Sequence, residues 1–77
     1  MPFSRSGLIE QLQFEGFDKA EATLAVDSIT VDWYKQASLK AEQYLQTMPM
    51  SKSGLIEQLK FEGFTLAEAT YGANSIG

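Results

Sequence analysis

The chain has 77 residues, of which 44% are hydrophobic and 21% are charged, and this composition is typical of a small folded protein rather than a disordered one. It contains neither Cys nor His, which excludes disulfides, thiol nucleophiles, thiolate zinc sites and imidazole acid–base chemistry. The net charge of −4 repels nucleic-acid phosphates and favours basic partners.

An internal duplication organises the sequence. A shift of 47 residues aligns SRSGLIEQLQFEGFDKAEATLAVDSI at 4–29 with SKSGLIEQLKFEGFTLAEATYGANSI at 51–76, and 18 of the 26 aligned residues are identical. The match extends upstream, where Met1-Pro2 aligns with Met48-Pro49. We therefore predict an all-α protein with two tandem helix–turn–helix repeats, residues 1–29 and 48–77, joined by a longer amphipathic helix within residues 30–47.

The first helix of each repeat has a predictable start. Ser4 and Ser51 are suited to cap it, because a serine hydroxyl accepts a hydrogen bond from a backbone N–H that the first helical turn leaves unpaired. An apolar stripe at helical spacing follows in both copies and predicts the buried side of the helix. Its members are Leu8, Ile9 and Leu12 in the first copy and Leu55, Ile56 and Leu59 in the second.

A tight turn ends this helix. Gly16 and Gly63 suit the left-handed backbone conformation that terminates a helix, because glycine has no Cβ to clash there. Phe17 and Phe64 come next and are placed to pack back on Leu12 and Leu59, as in a Schellman motif.

The second helix of each repeat starts directly after the turn. Asp18 and Thr65 are N-caps, and Glu21 and Glu68 three residues later complete capping boxes, which predicts helices over 19–28 and 66–76. The predicted inward stripe of the first of these helices consists of Ala22, Ala25, Val26 and Ile29. Gly72 lies inside the second and should weaken it by about 1 kcal/mol relative to Ala.

Between the repeats, Asp32 can cap a helix over 33–47. One face of this helix is apolar, which predicts that it covers both hairpins or belongs to the second as core rather than as a ligand site. That face carries Trp33, Ala37, Ala41, Tyr44 and Met48, with Tyr34 and Leu45 beside it.

No pattern of residues predicts catalysis. Gly7 and Gly54 lack the context of a phosphate-binding loop, and a calcium loop is also missing. The close spacing of Glu10, Glu15 and Asp18 is explained by a solvated helix surface rather than by general acid–base work. We expect a protein that is not an enzyme and that uses no cofactor and no metal.

Helix–turn–helix topology raises DNA binding as an alternative. A recognition helix needs basic or amide side chains near its start and basic residues for the phosphates. The second helices offer only Lys19, which is replaced by Leu66 in the other copy, and Asp18, Glu21 and Asp27 would face phosphate. A DNA-binding regulator is therefore the least favoured function, and we expect no nucleic-acid partner.

Phe14 and Phe61 have two possible roles. On a helical wheel they lie opposite the Leu8 and Leu12 stripe, beside Glu10 in one copy and Glu57 in the other. The favoured prediction is that they pack against the long helix. The alternative is an acidic and aromatic patch, presented twice, that binds a basic helical partner.

The string S-x-S-G-L-I-E-Q-L-x-F-E-G-F-x-x-A-E-A, present twice, and the intervening D-W-Y-K-Q-A-S-L-K-A-E-Q-Y-L resemble the repeat of the Ltp-type, host-cell-surface-exposed lipoproteins. Prophages and genomes of Gram-positive bacteria encode this family. The resemblance implies superinfection exclusion, in which a lipid-anchored protein outside the host membrane blocks DNA injection by incoming phages. It implies the phage injection apparatus as target, with the tape measure protein as the leading candidate.

Under this hypothesis, acidic and aromatic side chains bind a basic, helical, elongated phage protein. The candidate partner-binding residues are Glu10, Glu15, Asp18, Glu21, Glu57, Glu62 and Glu68, with Phe14 and Phe61. The alternative is a generic surface protein-interaction module. Family members carry a signal sequence and a lipobox Cys that this chain lacks, so we expect the sequence to represent the extracellular part of a protein anchored on the outer face of the host membrane.

Overall fold

The computed structural model describes residues 3–75, and within that range the secondary structure is entirely helical. The helices are α1 (Arg5–Phe14), α2 (Lys19–Asp27), α3 (Trp33–Thr47), α4 (Lys52–Phe61) and α5 (Leu66–Asn74). The prediction of an all-α protein is confirmed. The predicted alignment at Met1-Pro2 and the predicted extension of the last helix to Ile76 lie outside the described residues; α5 ends at Asn74.

The helix starts follow the predicted caps. The Ser4 Oγ accepts a hydrogen bond from the Gly7 N–H at 2.9 Å, and the Ser51 Oγ accepts one from the Gly54 N–H at 3.1 Å. The Asp32 carboxylate accepts from the Lys35 N–H at 3.2 Å and so begins α3. Each cap satisfies a backbone donor that the first helical turn leaves unpaired.

Both turns are Schellman motifs. Gly16 has φ +111° and Gly63 has φ +105°, in the region that favours glycine. The Phe17 N–H donates to the Leu12 carbonyl and the Phe64 N–H donates to the Leu59 carbonyl, each at 3.1 Å. These bonds join the residue after the glycine to the last turn of the helix, which is the predicted geometry.

Helix α3 packs with the second helix pair. It lies mainly against α5, and α4 packs on both, so that α3, α4 and α5 form a three-helix bundle. Most of α3 packs with the second repeat, as one of the two predicted placements has it, whereas Trp33 at its start packs against the first repeat. Met48 is exposed rather than part of the stripe. The core of this bundle consists of Ala37, Ala41, Leu55, Leu59, Phe64, Ala69 and Ala73.

Gly72 has a packing role in this bundle. A Cβ added to Gly72 would lie 2.8 Å from the backbone carbon and oxygen of Ala37, closer than real Cβ contacts occur. Glycine is unfavourable in a helix interior, but its lack of a Cβ allows α5 to approach α3 closely at this position.

Helices α1 and α2 form a smaller group with a core of Ile9, Ala22 and Val26, against which Leu8, Leu12 and Trp33 pack. The prediction that Ala25 and Ile29 point inward is wrong, because both side chains are exposed. Among the described residues α2 packs mainly against one helix, α1, so only a narrow side of α2 is buried. Burial of α2 therefore ends at Ala22 and Val26.

An ion pair across this group joins the two helices. The Arg5 guanidinium donates from Nε and Nη2 to the two carboxylate oxygens of Asp27, each at 2.8 Å. These hydrogen bonds lower the pKa of the Asp27 carboxyl below its usual value. The second repeat has Lys52 and Asn74 at the corresponding positions, so it cannot form the same bidentate pair.

The two helix groups meet at a small polar junction. The Ser4 Oγ donates to the Glu62 carbonyl at 2.8 Å, and the Ser6 Oγ donates to the Gly63 carbonyl at 3.1 Å. The start of α1 thus satisfies carbonyl groups at the end of α4. The two helix groups joined in this way form an elongated molecule with extents of 37 × 20 × 18 Å.

Candidate functional site

The two phenylalanines that close α1 and α4 are almost fully exposed. The exposed fraction is 88% for Phe14 and 86% for Phe61. The favoured prediction, that they pack against the long helix, is therefore wrong. Helix α3 lies mainly against α5 and leaves the outer side of α4 uncovered, while α1 has no third helix beside it among the described residues.

A cleft of about 260 Å³ lies at the junction of the two helix groups. Glu10 from the first repeat and Phe61 and Glu62 from the second line it, together with Lys40 of α3. Three of the candidate residues are thus brought together by the fold, although they come from different repeats. The sequence alone could not indicate this grouping, because it depends on how Ser4 and Ser6 dock on the end of α4.

Three of the candidate carboxylates hold helix starts. Glu21 accepts from the Asp18 N–H at 3.1 Å while Asp18 accepts from the Glu21 N–H at 2.8 Å. Glu68 accepts from the Thr65 N–H at 3.0 Å and donates its own N–H to the Thr65 hydroxyl at 3.1 Å. Asp18, Glu21 and Glu68 therefore stabilise α2 and α5, as the capping-box pattern predicted, before any partner is considered.

Glu62 belongs to a polar network that ties α4 to α3. The Tyr44 hydroxyl donates to the Glu62 carboxylate and accepts from the Gln58 amide at 3.1 Å. The Lys40 ammonium lies 3.7 Å from the same carboxylate and 5.6 Å from the centre of the Tyr44 ring. Burial, and the hydrogen bond to Glu62, raise the pKa of Tyr44.

This network could not be predicted from the sequence. Lys40 and Tyr44 are four residues apart, so they share a face of α3, but the sequence gives no reason to join that face to Glu62. The crossing of α3 over α4 supplies the missing link.

Glu10 and Glu15 differ from the other candidates. Both are exposed, and within residues 3–75 neither side chain forms a hydrogen bond or an ion pair. Glu57 is also exposed, with Lys60 at 3.8 Å, a separation at which a surface ion pair contributes little to stability. Glu10 and Glu15 lie on either side of Phe14 in α1 and its cap, and this group is the acidic and aromatic surface that the fold leaves uncommitted.

Residues 3–75 contain no group of three or more acidic side chains arranged to hold a metal ion. Over the same range, none of the helices combines the length and apolar character needed to cross a lipid bilayer.

Comparison with curated proteins and with solved structures finds no match. A family model described as host cell surface-exposed lipoprotein matches residues 1–29 and 32–76. These two segments coincide with the α1–α2 group and the α3–α5 bundle. Because the two matches together span nearly the whole chain, the protein belongs to the family of host cell surface-exposed lipoproteins.

Proposed function

We propose that this protein excludes superinfecting phages by binding a basic helical segment of the phage DNA-injection machinery, with the tape measure protein as the first candidate, and so blocks DNA injection. The family supports a location at the host cell surface. Binding requires no catalysis and no cofactor. A lipid anchor in the full-length precursor would hold the protein at the outer face of the membrane, where the injection apparatus arrives.

The observation that carries the proposal is the matched exposure of Phe14 and Phe61. Two phenylalanines at equivalent positions of a duplicated unit remain 88% and 86% exposed in a chain short of core residues. Covering one such side chain contributes about 1.5–3 kcal/mol, so leaving both in water forgoes stabilisation that a partner can supply. Aromatic side chains are frequent anchors of protein interfaces, and two on one chain allow avid binding to an elongated target.

Charge supports a basic partner. Residues 1–29 carry Arg5 and Lys19 against five carboxylates, a net charge of −3. Glu10 and Glu15 flank Phe14 in sequence and are not engaged by other described residues. Complementary charge accelerates the encounter, and screening at higher ionic strength slows it.

The first experiment displays the protein on a lipid anchor in a host and measures phage adsorption and DNA injection separately. We expect normal adsorption and failed injection. The double variant Phe14→Ser with Phe61→Ser should restore injection. Leu66→Ser is the matched control, because Leu66 is also an exposed apolar residue but lies at the start of α5, outside this surface.

Charge-reversal variants test the proposed electrostatic attraction between this surface and a basic partner. Glu10→Lys with Glu15→Lys should weaken exclusion without unfolding the protein, since neither side chain has a structural partner among the described residues. Reversal of Asp18, Glu21 or Glu68 is uninformative, because it removes capping bonds that each contribute about 0.5–2 kcal/mol.

Injection at the rate of a control strain, at equal display level, would refute superinfection exclusion for this chain. The generic surface interaction module would then be the remaining function. Exclusion that survives both the phenylalanine and the charge variants would place the binding surface elsewhere.

A further inference from the structure

The second repeat shows how its helix pair holds a third helix. Tyr71 stacks edge-to-face on Tyr34 of α3, with ring centres 5.4 Å apart and planes at 82°. One turn farther along α3, the backbone of Ala37 lies close against Gly72 of α5. At the C-cap of α4, the Glu62 carboxylate lies 3.7 Å from the Lys40 ammonium and accepts a hydrogen bond from the Tyr44 hydroxyl.

The first repeat carries the equivalent face without a helix on it, and three of its five residues are identical to those of the second repeat. The shift of 47 residues maps Gln58, Glu62, Tyr71, Gly72 and Ser75 onto five residues that are all exposed. We name these five residues the uncovered face: Gln11, Glu15, Leu24, Ala25 and Ser28.

Residues that are identical in the two repeats and lie behind these faces differ in burial. The difference shows how much surface the third helix covers in the second repeat. Leu8 and Leu12 are only partly buried, whereas their counterparts Leu55 and Leu59 are fully buried. Phe17 is 50% exposed and its counterpart Phe64 is 4% exposed. Leu24, on the uncovered face itself, is 74% exposed. The sequence of the first repeat is thus that of a helix-binding unit, but among the described residues it lacks the helix.

We infer that the uncovered face binds an amphipathic helix of a partner protein whose contact side has the chemistry of α3. That side carries an aromatic residue, a small residue three positions later, and then a lysine and a tyrosine that are four residues apart, as at Tyr34, Ala37, Lys40 and Tyr44. The lysine and the tyrosine hydroxyl pair with Glu15, and the tyrosine also accepts from Gln11. This inference deepens the proposed function, on which it rests for the phage origin of the helix, by specifying what the partner must carry.

Ala25 sets the distance between the helices at this crossing. Its counterpart Gly72 cannot carry a Cβ while Ala37 lies against it. Because the nearest atoms are the backbone carbon and oxygen of residue 37, any helix on the uncovered face must sit farther from α2 than α3 sits from α5, whichever residue it carries at that place. The same difference is a physical reason why the α3 of this chain packs on the second repeat.

Net charge favours a basic partner over a second copy of this chain as the occupant of the uncovered face. The uncovered face contains Glu15 and belongs to a segment with a net charge of −3, and a second copy brings a net charge of −4. Like charges disfavour that contact, while a basic helix is attracted. The α3 of a second copy is moreover already packed in its own bundle.

The test uses the full chain and a synthetic peptide of residues 31–48. Peptide titrated into the isotope-labelled chain should cause saturable NMR shift changes at Gln11, Glu15, Leu24 and Ala25, with a Kd below about 1 mM. Leu24→Glu should abolish binding. Glu15→Lys should weaken it at least tenfold, and a peptide that carries Lys40→Glu should recover binding to this variant. Glu42→Lys in the full chain is the matched control for Glu15→Lys and should leave peptide binding unchanged, since Glu42 is an exposed carboxylate on α3 outside the uncovered face.

Absence of saturable shifts, or shifts confined to α4 and α5 through displacement of the chain's own α3, would overturn the inference. Self-association that involves Leu24 and Ala25 without peptide would also overturn it and identify a second copy as the occupant. Failure here is distinguishable from failure of the proposed function. A chain that blocks phage DNA injection but does not bind the peptide retains the proposed function, and one that binds the peptide but admits phage DNA retains only the helix-binding face.

Discussion

Replacement of Gly72 by alanine tests whether close packing or helix propensity governs α5. By propensity alone, Gly72→Ala would stabilise an interior helical position by about 0.8–1 kcal/mol. The added Cβ would, however, lie 2.8 Å from the backbone carbon and oxygen of Ala37, atoms that cannot rotate away. Overpacking of this kind costs about 1–3 kcal/mol and forces α3 and α5 apart. We expect a net loss of about 1 kcal/mol, which lowers Tm by roughly 4–8 °C in a domain of this size.

Thermal unfolding followed by circular dichroism at the helix band measures this effect. Ala25→Gly is the matched control, because it makes the opposite change at the equivalent position of the first repeat, where the side chain is exposed. It should destabilise α2 by about 1 kcal/mol through propensity alone. An unchanged or higher Tm for Gly72→Ala would refute the argument that glycine is present for the approach of α3.

Three further predictions concern the turns and the titratable pairs. Gly63→Ala should destabilise the protein more than Gly16→Ala in urea unfolding. Both have positive φ, but only at Gly63 would the Cβ meet another side chain, with the Ser4 hydroxyl 2.6 Å away, whereas nothing lies within 4 Å at Gly16. Because Asp27 has a lowered pKa, its ion pair stabilises the fold above the ordinary carboxyl pKa of 3.8 and loses this effect as pH falls further; Asp27→Asn should therefore flatten the acid decline of Tm. Tyr44 has a raised pKa, so its contribution is complete below pH 10 and is lost as pH rises beyond that value, and Tyr44→Phe should flatten the alkaline decline.

The helix starts and the two tight turns could be predicted because they depend on neighbouring residues, whereas α2 and α5 end earlier than predicted, at Asp27 and Asn74. The hydroxyl of Ser4 needs only the Gly7 N–H three residues away, and the left-handed turn needs only a glycine at position 16. The capping boxes at Asp18 and Thr65 follow from the same local rule. Such patterns are complete within one or two helical turns, and the structure agrees with them.

Burial could not be predicted in the same way. The repeats are nearly identical in sequence, yet Phe17 is half exposed and Phe64 is core, because only the second pair is covered by α3. The assignment of Phe14 and Phe61 to the long helix also failed, because α3 lies mainly against α5 and does not cover the side of α1 or of α4 that carries these residues. The candidate site was predicted only as a set of residues; the structure separates Glu10 and Glu15 from the carboxylates that cap helices or bind Tyr44.

The small junction between the two helix groups has a consequence for local opening. Ser4 and Ser6 each contribute one neutral hydrogen bond to it, worth about 0.5–1.5 kcal/mol, and Trp33 packs alongside the first group. Opening of α1 and α2 therefore requires less free energy than opening of the bundle and proceeds as a separate unit. Amide hydrogen exchange should reveal two levels of protection for the same peptide sequence, faster in GLIEQL of the first copy than in GLIEQL of the second. The duplication thereby provides its own internal reference for how much a third helix slows exchange in a pair of helices.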